Sequence, residues 1–474
     1  MMLALKRRAG AVIARLLGLV GVIALLFPLA ACTQDTRTQI TVWSWEPSMK
    51  ALIAAFEKEN PDVRVKLNDM SGYEHLNSAI QDGYGTPDVA QLEYFALPQY
   101  AVSGQLMDLT GKAAGYDGFF TPGTWASVKL AGRVYGLPMD SGPMAFFYND
   151  DAFRQAGVDA SKIRTWEDYY EAAKKLKKIG IYIAADAGDA SFYNAMIWLA
   201  GGRPFRTSAD GKTVKVNLMT DEGTKTFTAF WQRMISEGLV NTHLRTWSDG
   251  WKQAMGDGTV ASMFAGAWMP SLLLADVPGT AGLWRVARMP TKTGAVTNAE
   301  NGGSALAVLN TTRKPEAAYR FVEFVCHNRE GIRIRVDAGA FPADGSTLGS
   351  AEFLDKTTIT ADNGTAVSYF GGQKFNTVLA EAAESVSVGY QYLPFEVYAR
   401  NDFRSATSGA YAWASKKQAY EQRKAMREAG VTNDDGTPID LPEEPGMRVT
   451  LTSGLATWQK DLKEYGTNQG FTID

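Results

Sequence analysis

Two pairs of aromatic and acidic residues stand where predicted strands end. Trp45 and Glu46 follow a strand over residues 39–44, and Glu93 and Tyr94 close the strand of "PDVAQLEY". In open α/β sheets, ligands bind in the crevice outside the carboxyl ends of the strands. An aromatic ring stacks on the apolar face of a sugar and a carboxylate accepts from its hydroxyls, so these pairs indicate carbohydrate recognition. The other interpretation is that Trp45 packs in the core and Glu46 caps the next helix.

The sequence contains few of the residues that enzymes use in catalysis. Its three histidines, His75, His243 and His327, are far apart and show no H-E-x-x-H spacing, and no Cys-x-x-Cys pair occurs. There is no G-x-S-x-G nucleophile elbow and no P-loop. We therefore expect a protein that is not an enzyme, without a cofactor and without a metal site.

Two short segments match ligand-binding loops only in part. Gly256, Gly258 and Ala261 fit G-x-G-x-x-A, but a dinucleotide site needs a strand before the glycines and a helix after them. Here a helix precedes them and an extended segment follows, so we predict a tight turn. Residues 433–444 are acidic, yet their acids do not alternate as in an EF-hand, which predicts a solvated loop.

The N-terminus has the three parts of a signal peptide. A basic start at residues 6–8 precedes an apolar stretch over 16–26 and a small-residue site at Ala30-Ala31. Arg15 and Pro28 keep the purely apolar run shorter than the roughly 20 residues of a membrane span. We predict a signal peptide over residues 1–31, although an anchor that is never cut remains the alternative.

"LAAC", which ends at Cys32, resembles the lipobox of bacterial lipoproteins. The resemblance implies that Cys32 is lipidated and that residues 33–38 form a polar tether. It places the protein at the extracellular face of a bacterial cell membrane, held through an N-terminal lipid anchor.

Composition describes the rest of the chain as globular. Removing the first 31 of 474 residues leaves 443, a length that predicts two domains. The formal net charge of −3 becomes −7 when four basic residues leave with the signal peptide, so nucleic acid is not an expected partner. Cys326 continues an apolar helix stripe that includes Phe321 and Val325, which predicts a buried side chain.

Strand and helix patterns alternate along the chain. Residues 39–67 read as strand, helix and strand, with Met49, Leu52 and Phe56 on one helix face. Thr165 and Asp168 form a capping-box pattern before another helix. Further helices are predicted within 220–240, 314–328, 399–429 and 450–464. The alternation predicts an α/β protein.

Five segments in order, among them "ITVWSWEPSMKALIAAFEKENPDVRV", "VYGLPMDSGPMAFFYNDDAF" and "NGGSALAVLNTTRKPEAAYRFVEFV", are similar to the family-1 extracellular solute-binding proteins of carbohydrate ABC transporters. The similarity runs from about residue 39 to 345. It implies a two-lobed α/β fold of the type II periplasmic-binding-protein class, with hinge crossovers and a ligand cleft between the lobes. Lobe one would comprise residues 39–143 and 304–343, and lobe two residues 144–303 and 344–474.

The resemblance also implies ligand contacts. The loops after the first and third strands match Trp45, Glu46, Glu93 and Tyr94. Asp140 lies at the first crossover, Trp268 at the position of an aromatic stacking platform, and Asn301 and Gly302 in a turn that offers backbone amides. A core position for Trp268 and a purely turn-forming role for Asp140 remain open.

The segment over residues 366–403 is longer and richer in aromatic residues than the resemblance leads us to expect. Tyr369, Gln373 and Tyr392 are candidates for an added wall over the cleft, which would suit an oligosaccharide. Packing of these side chains inside the protein is an equal alternative.

The resulting hypothesis is a monomeric, membrane-tethered lipoprotein that closes on an oligosaccharide and delivers it to an ABC transporter permease. A secreted glycan-active hydrolase or lyase, using Glu46 with Glu93 or Asp140, is the second hypothesis. A binder of peptides or polyamines on the same fold is the third, and it predicts a cleft of carboxylates with few exposed aromatic residues.

Overall fold

The computed structural model describes residues 35–70, 72–361 and 363–474. The predicted signal peptide over residues 1–31 and the predicted lipidation site at Cys32 lie outside these residues. Within the described ranges, we find no helix of the length and apolar character that crossing a membrane requires.

The chain opens with the predicted strand, helix and strand. These are β1 (Thr38–Ser44), α1 (Met49–Glu59) and β2 (Val63–Asp69). The two strands pair in parallel from Thr38 opposite Val63 onward. Met49, Leu52 and Phe56 are buried, because their spacing places them on the one face of α1 that packs on the sheet.

These strands belong to a five-stranded sheet with the order β2-β1-β3-β14-β6. Its other members are β3 (Val89–Glu93), β6 (Leu137–Pro138) and β14 (Ser304–Val308). β3 is parallel to β1, whereas β14 runs antiparallel to both β3 and β6. The sheet therefore combines the first part of the chain with a strand that returns after residue 303.

A second sheet has the order β12-β7-β13 and is antiparallel throughout. Its strands are β7 (Met144–Asn149), β12 (Ser262–Gly266) and β13 (Trp284–Ala287). All of β7 is buried because both faces of the sheet are covered. Phe146 packs edge-on against Tyr169, while Phe147 on the opposite face approaches Phe370.

Helices surround the two sheets, and short strand pairs complete the fold. The remaining helices are α2 (Tyr73–Asp82), α3 (Leu97–Val102), α4 (Pro122–Ser127), α5 (Asp150–Gln155), α6 (Trp166–Lys178), α7 (Ala190–Leu199), α8 (Glu222–Ser236), α9 (Asp249–Gly256), α10 (Met269–Asp276), α11 (Pro315–Cys326), α12 (Arg329–Asp337), α13 (Gly345–Leu348), α14 (Ala351–Leu354), α15 (Phe375–Glu384), α16 (Glu396–Glu428) and α17 (Leu451–Asn468). The remaining strands are β4 (Lys129–Leu130), β5 (Arg133–Val134), β8 (Ala184–Ala185), β9 (Phe205–Thr207), β10 (Thr213–Val216), β11 (Val240–Asn241), β15 (Ile359–Thr360), β16 (Ala366–Val367) and β17 (Thr472–Ile473).

Several local predictions are confirmed. Thr165 and Asp168 form the capping box at the start of α6. Gly258 has φ +80° in a turn between α9 and β12, which is the helix-to-strand order that the sequence predicts. Residues 433–444 form a loop, and Cys326 is buried in α11.

Two short segments, residues 139–143 and 299–303, run side by side between the sheets. Asn301 donates its backbone N–H to the carbonyl of Gly142 at 2.7 Å. The buried carboxylate of Glu300 accepts from the N–H of Gly142 at 2.7 Å and from Ser141 Oγ at 3.1 Å. We call this pair of segments the crossover pair. The lobe boundaries at 143/144, 303/304 and 343/344 stay a prediction.

Candidate functional site

A cleft of about 610 Å³ lies between the two sheets, and we call it the main cleft. Trp45, Glu93 and Asp140 line it from the carboxyl ends of β1, β3 and β6. Phe192 and Trp268 line it from the opposite side. The strand ends of the first sheet thus face a second group of elements, which includes α7 and the residues after β12, across a concave space. This arrangement is expected for an α/β ligand site.

Trp45 is presented to the main cleft by a buried hydrogen-bond network at the end of β1. Its side chain is 38% exposed, so the interpretation of Trp45 as a core residue is wrong. Gln91 Oε1 accepts from the backbone N–H of Trp45 at 3.1 Å and from Ser44 Oγ at 2.6 Å, while Gln91 Nε2 donates to Ser304 Oγ. The backbone that carries the indole is therefore fixed.

Glu46 does not line the main cleft. Its Oε1 accepts from the backbone N–H of Ser48 at 3.2 Å and from Ser48 Oγ at 2.6 Å, at the start of α1. An anionic group is favourable there because the helix N-terminus carries a partial positive charge. The structure therefore places Glu46 as the helix-terminus group of the alternative interpretation.

Glu93 and Tyr94 are adjacent in sequence, but only the side chain of Glu93 lines the main cleft. The carboxylate of Glu93 lines the main cleft and accepts from the Tyr73 hydroxyl at 3.2 Å. Burial raises its pKa, and the positive charge of Arg400 acts in the opposite direction. Tyr94 is 1% exposed and donates its hydroxyl to the carbonyl of Asp140 at 2.6 Å. The expected ligand contact of Tyr94 is corrected to a supporting role beneath the crossover pair.

Asp140 both lines the main cleft and holds the backbone. Its Oδ1 accepts from the N–H of Ser304 at 2.5 Å and from Ser304 Oγ at 2.8 Å. The pKa of this carboxyl is raised to about 6, because burial and, to a smaller extent, the charge of Glu46 outweigh the lowering effect of the Ser304 hydrogen bonds. The turn-forming role is thus present, and the carboxylate remains accessible from the main cleft.

Trp268, Asn301 and Gly302 come together on the far side. Trp268 lines the main cleft and donates its indole N–H to the carbonyl of Asn301 at 2.7 Å. Gly302 has φ +98°, and a Cβ at this position would lie 2.6 Å from Trp268 Nε1. The glycine therefore allows both the left-handed backbone and the close approach of the indole.

The three residues expected to form an added wall do not line the main cleft. Tyr369 is fully buried and donates its hydroxyl to the carbonyl of Val277 at 2.9 Å. Gln373 pairs with the backbone N–H and carbonyl of Val286, at 2.9 and 2.7 Å, along the edge of β13. Tyr392 packs edge-on against Trp198. The packing alternative therefore holds for this segment.

The main cleft contains an aromatic residue that the sequence reasoning missed. Trp247 is 43% exposed and has φ +71°, a conformation that costs energy for a bulky residue. Its ring centroid lies 5.3 Å from that of Trp251 and 5.7 Å from that of Trp268. One feature of the sequence could have identified Trp247 as a cleft residue. It stands directly before Ser248, the N-cap of α9, and residues at the start of a helix are often presented to a ligand.

Charged side chains of the second group of elements were also missed. Asp186, Asp189, Arg400 and Arg404 line the main cleft. Asp186 is buried and accepts from Trp231 Nε1 at 2.7 Å and from the Tyr411 hydroxyl at 2.5 Å, and burial raises its pKa. No sequence pattern marked Asp186 as a cleft residue, because its Trp231 and Tyr411 partners lie 45 and 225 positions away along the chain.

The main cleft thus offers exposed indole rings together with carboxylates and guanidinium groups. This combination fits a neutral, hydroxyl-rich ring compound that has apolar faces. Among the described residues, no group of three His, Cys, Asp or Glu side chains is arranged to hold a metal ion.

The family model for bacterial extracellular solute-binding protein matches residues 43–326 of this chain. An ABC transporter associated binding protein from B. animalis subsp. lactis Bl-04, solved in complex with β-1,6-galactobiose, is 45% identical to it. That similarity covers 92% of this chain and 100% of the other, with a TM-score of 0.76.

Two further proteins are similar over most of their length. The galacto-N-biose-/lacto-N-biose I-binding protein of the ABC transporter from Bifidobacterium longum is 24% identical over 93% of this chain and 99% of its own, with a TM-score of 0.70. The arabinooligosaccharide-binding protein of Bacillus subtilis is 25% identical over 70% of this chain and 79% of its own.

Proposed function

The chain belongs to the bacterial extracellular solute-binding proteins, and from this membership we propose that it captures a short oligosaccharide for an ABC transporter. The predicted fold class, a two-lobed α/β periplasmic-binding-protein fold of type II, is confirmed by the solved structures that share it. The ligand named for the 45% identical protein, β-1,6-galactobiose, makes a galactose-containing oligosaccharide the first candidate.

The observation that carries the proposal is that two indoles, Trp45 and Trp268, line the main cleft together with the carboxylates of Glu93 and Asp140. Indole rings that contact opposite faces of a sugar remove its apolar C–H surface from water. Glu93 and Asp140 then accept from the equatorial hydroxyls, and charge-assisted hydrogen bonds of this kind fix the orientation of the ring. Recognition requires the two sides of the cleft together, so binding favours closure of the hinge.

The two other hypotheses have less support. Glycoside hydrolysis needs a pair of carboxyl groups roughly 5–10 Å apart across the scissile bond. Glu46 lies outside the main cleft and accepts from Ser48, so both of the carboxyl pairs that this hypothesis names, Glu46 with Glu93 and Glu46 with Asp140, lose one member. A binder of peptides or polyamines predicts few exposed aromatic residues, whereas several tryptophans line this cleft. The family and its similar members are binding proteins rather than enzymes.

The family is described as extracellular, which supports a location of this protein outside the cell. We infer that Cys32 carries a lipid that ties it to the membrane, which rests on the "LAAC" segment and the preceding apolar stretch. Delivery of the sugar to permease subunits and a monomeric state complete this proposal.

Isothermal titration calorimetry of the purified protein tests the proposed ligand class. β-1,6-Galactobiose, lacto-N-biose and arabinooligosaccharides are the sugars, and a tripeptide and spermidine serve as controls. We expect saturable binding of at least one sugar, no heat from the controls and no new product by chromatography. Binding of the peptide or spermidine without any sugar, or turnover of a sugar, would contradict the proposal.

A further inference from the structure

A second cavity of about 670 Å³ adjoins the main cleft, and we call it the side chamber. It lies between α2 and α16, and three residues, Glu93, Ser191 and Arg400, line both cavities. We propose that the sugar site continues past these three residues into the side chamber, so that the chain binds an oligosaccharide of three or more units. This inference rests on the proposed function and deepens it.

The boundary between the cavities is built from polar groups that are held in place. The guanidinium carbon of Arg400 lies 3.7 Å from the ring centroid of Phe95, and its Nη1 donates to Ser191 Oγ at 2.8 Å. Tyr73, which lines the side chamber, donates its hydroxyl to the carboxylate of Glu93 and holds it in place. A sugar chain that passes this point meets a fixed cation and a fixed carboxylate instead of an apolar wall.

Arg400 has unused hydrogen-bonding capacity at this boundary. Its Nε is buried and makes no hydrogen bond within the described ranges, although it forms an ion pair with Glu396 Oε1 at 3.5 Å. A guanidinium carries five N–H donors, and the described residues accept a hydrogen bond only from Nη1, so a ligand hydroxyl that reaches the group can accept a charge-assisted hydrogen bond without displacing it. Such an arginine is a suitable contact for the linkage between two sugar units.

The two cavities differ in the chemistry that they offer. The main cleft has Trp45, Trp247 and Trp268, which provide stacking surfaces. Among the described residues, no tryptophan lines the side chamber. Besides Tyr73, His75 and Phe95 it has the exposed amides of Asn77 and Asn401, which favour hydrogen bonds to hydroxyl groups. One terminal unit is therefore recognised by ring stacking, and the following units by hydrogen bonds.

Volume supports a ligand that occupies both spaces. The main cleft alone lies within the roughly 300–1,000 Å³ that is usual for small-ligand sites, and the two cavities together exceed that range.

The test compares affinity across a length series. The dissociation constants of β-1,6-galactobiose and its tri- and tetrasaccharide homologues are measured by calorimetry for the wild-type protein. The variant is Asn401→Leu, because Asn401 is exposed and lines only the side chamber. Ser408→Leu is the control, since Ser408 is exposed two turns further along α16 and lines neither cavity.

We expect the trisaccharide to bind the wild-type protein about 10-fold more tightly than the disaccharide. Asn401→Leu should remove most of that gain and leave galactobiose binding unchanged, and Ser408→Leu should behave as wild type. Equal affinity for all lengths, or an equal loss for all lengths in Asn401→Leu, would overturn the side chamber as a subsite. Failure of galactobiose and of every other sugar to bind the wild-type protein would instead overturn the proposed function.

Discussion

At the residue scale, the two indoles that flank the main cleft make the sharpest prediction. Trp45→Ala and Trp268→Ala should each weaken sugar binding by about 1.5–3 kcal/mol, or roughly 10- to 150-fold, through lost ring burial and stacking. Calorimetry measures the loss. Trp413→Ala is the matched control, because Trp413 is partly exposed and lies outside the main cleft. A Trp45→Ala protein that binds normally but melts far below wild type would assign that indole to stability instead.

Glu300 makes a prediction about pH at the same scale. Burial raises the pKa of its carboxyl from 4.5 to about 7, so the folded state binds the proton more tightly than the unfolded state. The stability that this provides is fully present below pH 4.5 and is lost as the pH rises to about 7.

Glu300→Gln should remove this dependence. Its free energy of unfolding, relative to wild type, should improve by roughly 3 kcal/mol between pH 4.5 and pH 8, since a neutral amide has no charge to bury. Urea denaturation at both pH values provides the measurement. Asp140, whose charge also raises the pKa of Glu300, is present in both proteins, so the difference reports the Glu300 carboxyl in its own surroundings. Parallel pH profiles would contradict the assignment.

At the element scale, the turn of the crossover pair links backbone conformation to ligand binding. Gly302→Ala should destabilise the fold by about 1–2 kcal/mol because of its positive φ, and it should also weaken sugar binding because the new Cβ displaces Trp268. Gly258→Ala is the control, as Gly258 has φ +80° and open space around it. Both variants should lose stability, and Gly302→Ala alone should lose affinity. Equal affinities would contradict the coupling.

Local signals predicted the elements well. The spacing of Met49, Leu52 and Phe56 defined α1, and the capping box of Thr165 defined the start of α6, because both depend on neighbours within one or two turns. Trp45 was found for the same reason, since the loop after the first strand is read directly from the sequence.

Long-range packing explains the residues that were misplaced or missed. Tyr369 is the kind of side chain that sugar sites use, an aromatic ring with a hydroxyl group. Its hydroxyl nevertheless donates to the carbonyl of Val277, which is 92 positions away and lies in the core. Arg400 reaches Ser191 across 209 positions, and no periodicity encodes that contact. Sequence reasoning therefore identified the strand-end loops of the first sheet and little of the opposite wall.

At the scale of the whole molecule, the main cleft has its two walls on different sheets, joined by the crossover pair. Saturating sugar should therefore reduce the radius of gyration, because contacts with both walls favour the closed arrangement. Small-angle X-ray scattering with and without ligand measures this change. Trp268→Ala at the same sugar concentration should show a smaller reduction. An unchanged radius of gyration alongside calorimetric binding would show that the sugar does not move the lobes.

The 33-residue helix α16 converts that movement into a readable signal. Arg400 and Arg404 near its N-terminal end line the main cleft, whereas residues 421–428 are exposed except for the half-buried Met426. The helix is about 50 Å long, so each degree of rotation about its cleft end displaces its tip by about 1 Å. A fluorophore at Lys424 paired with a second dye on the first sheet's helices would report sugar as a change in energy transfer. Helix α16, which lines the binding site at one end, thus makes the protein suitable as a scaffold for an optical glycan sensor.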